Sequence, residues 1–108
     1  MPVANLFTVP QSPEEEKWWS FSHMAHHRDL LRTANALYST NLPEYAIDPF
    51  GEAVADVHQQ MHNDLDALVG GEGYDLTEVD WTDPSQRSAW VHLNATWHQQ
   101  KGQILGVG

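Results

Sequence analysis

The chain has 108 residues, 41% hydrophobic and 19% charged, with no cysteine. That is enough for one domain with a modest core, and it excludes a disulfide framework or a thiolate metal site. Fifteen acids against five bases give a formal charge of −10, which repels nucleic acid and anionic membrane and leaves no basic stripe for phosphates.

Residues 1–11 carry prolines at 2 and 10 and the apolar Val3, Leu6, Phe7 and Val9, a pattern that predicts an extended N-terminal arm. The stretch "SPEEE" then supplies Ser12 as an N-cap, Pro13 at the first helical position and Glu15 three residues after the cap. A first helix is predicted from there to about Ser39, where "STNLPEYAIDP" brings two prolines with Asn41 and Asp48. Asp48-Pro49 repeats the signal, and a second helix should run to Val69, stopped by Gly70 and Gly71. Residues 70–83 read as a long acidic connection in which Tyr74, Leu76, Val79 and Trp81 brace the core while Asp75, Glu78, Asp80 and Asp83 stay wet. Asp83-Pro84, with Gln86 three after the cap, opens a third helix to about Leu105. The expected fold is all-α: a small up-down-up three-helix bundle over residues 12–108, with the arm at 1–11 ahead of it.

At about 100 degrees per residue, positions three, four and seven apart share a helix face. The first stripe is then Trp19, Leu30, Leu31, Ala34, Leu37 and Tyr38, with His23 central and His26 and His27 on either side. The second is Phe50, Val54, Val57, Met61, Leu65, Leu68 and Val69, with His58 central and His62 one turn on. The third is Trp90, Val91, Trp97, Ile104 and Leu105, with His98 central and Asn94 one turn before it. Only His92 falls on a polar side, so six of the seven histidines lie on faces that should bury.

Three readings follow from such a cluster. Pairs at i and i+4, His23/His27 and His58/His62, together with His98, offer imidazoles to a transition metal such as zinc or iron, with Asn94 and Glu16 in support. Alternatively, the rings are polar members of a wet core, bonded to each other, to Asn94, to Ser20 or to trapped water. The third is a charge switch, since full protonation of the histidines would take the formal charge from −10 to −3. The glutamates of a ferritin-like di-iron site are missing, which argues against oxygen activation of that type. No G-x-S-x-G, phosphate loop or calcium-loop spacing occurs, so no catalytic residue, small-molecule substrate or enzyme activity is inferred. Trp18 lies off the stripe, available to a partner.

The helix-one "H-x-x-HH", the "LP" then "DP" connection, "HQQMHND", "G-x-DLTEVDWTDP", the helix-three "N-x-x-x-H" and the terminal "LG" resemble a group of small His-rich helical proteins encoded among the virion genes of tailed bacteriophages and prophages. The likeness covers most of residues 18–106, and the group has no settled biochemical activity to carry over. It implies a structural or accessory subunit of the particle, made in the host cytoplasm. Such a subunit would bind other virion proteins through its terminal segments and assemble in several copies. No run approaches the roughly 18–20 apolar residues of a membrane span, and the N-terminus lacks the basic and apolar regions of a secretory signal, so neither membrane nor secretion is expected.

Overall fold

The computed structural model describes residues 5–44, 55–75, 79–80 and 82–108, and within them the chain forms three helices and no strand. Helix α1 spans Pro13–Tyr38, α2 Ala55–Val69 and α3 Pro84–Leu105. The predicted start of α2 at Asp48-Pro49, and Phe50, Val54, Leu76, Glu78 and Trp81, lie outside the described residues.

The N-termini of α1 and α3 are made by the residues that announce them. The Ser12 hydroxyl accepts from the Glu15 N–H, and the Glu15 carboxylate reaches back one residue further than a standard capping box, accepting from the Gln11 N–H at 2.6 Å. Asp83 caps α3 by accepting from the Ser85 N–H. Helix α1 ends at Ser39, which adopts a left-handed conformation at φ 55°. The strain is held by Asn35, which accepts from the Leu42 N–H and Thr40 hydroxyl and donates to the Leu42 carbonyl. Helix α3 ends in left-handed Gly106, and the Val107 N–H returns to the Gly102 carbonyl.

All three helices pack on one another, but not up-down-up. Along α1 and α3, Glu16 meets Arg87, Trp19 meets Trp90 and His26 meets His98. Along α2 and α3, His58 meets Trp90, His62 meets Trp97 and Asp66 meets Lys101. Both series rise together, so the three helices run in one direction. The connections explain how: residues 39–54 and 70–83 can span roughly 45–55 Å when extended, longer than the roughly 33 Å of α3. Their described parts turn back, with Glu44 pairing to Arg32 and the Tyr74 carbonyl accepting from the Gln59 carboxamide on α2. Short loops would have forced antiparallel neighbours; these do not.

Two apolar clusters form the core. Trp19, Trp90 and Val91 make one, with Leu6, Val9 and Val79 against it. Leu30, Leu31, Ala34, Met61, Leu65, Trp97 and Leu105 make the other, with Tyr74 and Val107 among its partly buried neighbours. The histidines lie between them. The described part of the expected arm is folded onto the bundle: the Thr8 N–H closes a turn on the Asn5 carbonyl, the Leu6 carbonyl accepts from the Trp19 indole at 3.0 Å, and Pro10 is buried. Burying Leu6 and Val9 on two tryptophans outweighs the freedom of a projecting segment. Leu37, Tyr38 and Ile104, assigned to the stripes, are instead exposed at 66%, 45% and 45%. All three lie in last turns, where the face is correct but the neighbouring helix has ended. No described helix is long and apolar enough to cross a membrane.

Candidate metal centre

His23 and His27 sit one turn apart on α1, His58 and His62 one turn apart on α2, and His98 comes from the middle of α3; all five are buried. Their rings touch across the bundle. His23 meets His58 at 5.0 Å and His98 at 4.6 Å between centroids. His27 meets His62 at 5.0 Å and His98 at 4.4 Å. One nitrogen each from His23, His27, His62 and His98 lies within 4.8 Å of all the others. His58 packs beside this set, 4.5 Å from His62. His92 is exposed on the polar side.

Both nitrogens of His23, His27 and His62, and the Nε2 of His58 and His98, are buried without a hydrogen-bond partner among the described residues. The Asn94 carboxamide lies close enough to His23 to favour its charged form, but its Oδ1 also lacks a hydrogen bond. Each such group costs about 1–3 kcal/mol, and together they rival the roughly 5–15 kcal/mol that holds a domain folded. Burial lowers the pKa of all five rings, and neighbouring imidazoles lower those of His23, His27, His62 and His98 further. His58 falls to about 3. Neutral imidazoles with bare nitrogens are the form that ligates a metal, so binding here would not have to displace protons near neutral pH.

The donor set fits a transition ion. Tetrahedral zinc at 2.0–2.1 Å from each nitrogen brings the nitrogens to about 3.3 Å of one another, so nitrogens that now lie within 4.8 Å would draw together by up to about 1.5 Å. All ligands are neutral, leaving the ion's charge to its surroundings. Those are indole faces: Trp19 stacks on His23 at 4.8 Å and 14°, and Trp97 on His62 at 3.6 Å and 18°. Their negative π faces suit imidazoles made electron-poor by a cation.

His26, not expected among the site residues, is hydrogen-bonded to the cluster: its Nδ1 lies 2.6 Å from the Nδ1 of His98. With that nitrogen engaged, the Nε2 of His98 is the one left facing the other rings. Such a bond fixes tautomer and ring orientation in metal-binding histidines. Lys101, also unforeseen, is fully buried. Its ammonium meets Asp66 Oδ1 at 2.6 Å and the Gly70 carbonyl, just past the end of α2, at 2.7 Å. Asp66 also accepts from the Trp97 indole at 2.9 Å, so the ring stacked on His62 is held in place. Glu16, expected as a supporting ligand, pairs with Arg87 instead. Two turns before His23 it shares a face, but lies roughly 10 Å away along the axis. Trp18 is half-buried beneath the Lys17 ammonium.

No family model, curated protein or solved structure matches the chain.

Proposed function

We propose that this protein is a non-enzymatic helical bundle whose core is stapled by one transition-metal ion, zinc or iron, on His23, His27, His62 and His98. The reading rests on one observation: four buried imidazoles from three helices present ligand atoms within 4.8 Å of one another. A metal there replaces unmet nitrogens with bonds and ties together three helices through their side chains. Small cores commonly gain stability this way. The test is elemental analysis of untagged protein, with melting followed before and after chelation. About one equivalent per chain and a large fall in Tm on chelation support the reading; metal well below one equivalent with an unchanged Tm removes it.

A second reading concerns where such a bundle works, and does not compete with the first. The exposed Phe21, Leu37, Tyr38 and Ile104, on a chain of formal charge −10, suit a subunit that joins other proteins. With the resemblance above, this supports an accessory role in a tailed-phage particle, contacting other virion proteins and further copies of itself. Finding the chain in purified virions supports it; a monodisperse monomer absent from them contradicts it.

A further inference from the structure

A cleft of about 560 Å³ opens between α1, α3 and the two terminal segments, lined by Leu6, Phe7, His26, His98, Gln103 and Val107 among others. On the side away from α2 it brings His26 and His98 to the surface. His23, His27 and His62 have no exposed area, and His98 only 2%. His26 is half-buried. Its Nδ1 holds His98, and its Nε2 lies by Gly102 on the cleft wall, 3.6 Å from where a Cβ there would stand. The cleft wall depends on that glycine: a Cβ at Gly102 would clash with the Val107 carbonyl, so the C-terminal segment could not lie as it does along α3.

We infer that a metal ion reaches the buried imidazoles through this cleft, meeting His26 first and passing to His98 as their hydrogen bond opens. The inference rests on the metal reading above, and adds a route. The alternative route, separation of the helices, would be indifferent to the cleft. Passage past His26 breaks one hydrogen bond, His26 to His98, whereas separating α1 from α3 parts Trp19 from Trp90 and His27 from Trp97.

The experiment is stopped-flow uptake of cobalt(II) by chelator-treated protein, read by quenching of tryptophan fluorescence, since Trp97 stacks on His62. Gln103→Phe and Gln99→Phe place a ring in the cleft from exposed positions on α3. Gln60→Phe, on the exposed side of α2, is the control. The cleft variants should load about tenfold more slowly while reaching the wild-type stoichiometry, and the control should match wild type. Equal rates in all four proteins overturn the route and leave the metal reading standing. Wild-type protein that takes up no cobalt defeats both.

Discussion

Acidifying the metal-free protein should unfold it far above the pH at which its carboxylates protonate. His23, His27, His58, His62 and His98 are neutral in the folded bundle because burial depresses their pKa values, that of His58 to about 3. In the unfolded chain each titrates near 6.5. The unfolded state therefore binds more protons below pH 6.5, so stability is fully present above that value and is lost as pH falls toward the folded pKa values. The Lys101 ammonium facing His62 works in the same direction; only Asn94 at His23 and Asp29 at His26 oppose it. Each unfolded imidazole gains about 0.8 kcal/mol from protonation at pH 6 and about 1.4 at pH 5.5. Five together amount to roughly 4 and 7 kcal/mol against a total stability of about 5–15 kcal/mol, toward the low end for so small a core. Circular dichroism of chelator-treated protein should show a cooperative loss of helix between about pH 6 and pH 5, with the urea midpoint falling steeply between pH 7.5 and 5.5. An unchanged urea midpoint across that interval refutes the reasoning, because it would mean that the rings are solvated.

Ligand variants should divide sharply. His27→Ala or His98→Ala should abolish one-equivalent zinc binding in equilibrium dialysis, whereas His58→Ala and His92→Ala should retain it, since neither belongs to the set of four. His26→Leu should weaken zinc affinity about 10–100-fold by freeing the His98 ring; His26→Gln, whose carbonyl can accept from the His98 Nδ1–H, should recover most of that loss in a competition titration. Lys101→Ala removes the partner of Asp66 and of the Gly70 carbonyl, and should cost about 3–5 kcal/mol in urea unfolding. Gly102→Ala, pressed against the Val107 carbonyl, should lower Tm even though alanine is the better helix former.

The starts of α1 and α3 and the ends of all three helices are legible because their signals are local, while the expected start of α2 lies outside the described residues. Ser12-Pro13, Asp83-Pro84 and Gly70 each specify a cap within a few residues. The histidine cluster was legible for a related reason: periodicity gives each residue an azimuth around its helix, and five imidazoles shared the azimuth of the apolar stripe. Axial position was not legible. Leu37, Tyr38 and Ile104 have the right azimuth but lie in last turns, and Glu16 has the azimuth of His23 but lies two turns from it. Helix direction was missed because an up-down-up order assumes connections too short to return, while residues 39–54 and 70–83 are long enough. Lys101 was missed because lysine is ordinarily wet, and its burial depends on the 70–72 segment crossing α3, which no periodicity encodes. His26 stood at the edge of its stripe, and only the third dimension put its Nδ1 against His98.

X-ray absorption at the edge of the bound metal decides whether the four histidines hold it, because it reads the donor atoms themselves. Zinc-loaded protein should show about four nitrogen neighbours near 2.0–2.1 Å with the multiple-scattering signature of imidazole rings, as tetrahedral zinc requires. A shell dominated by oxygen, or one left unaltered when His62 is replaced by alanine, would contradict it.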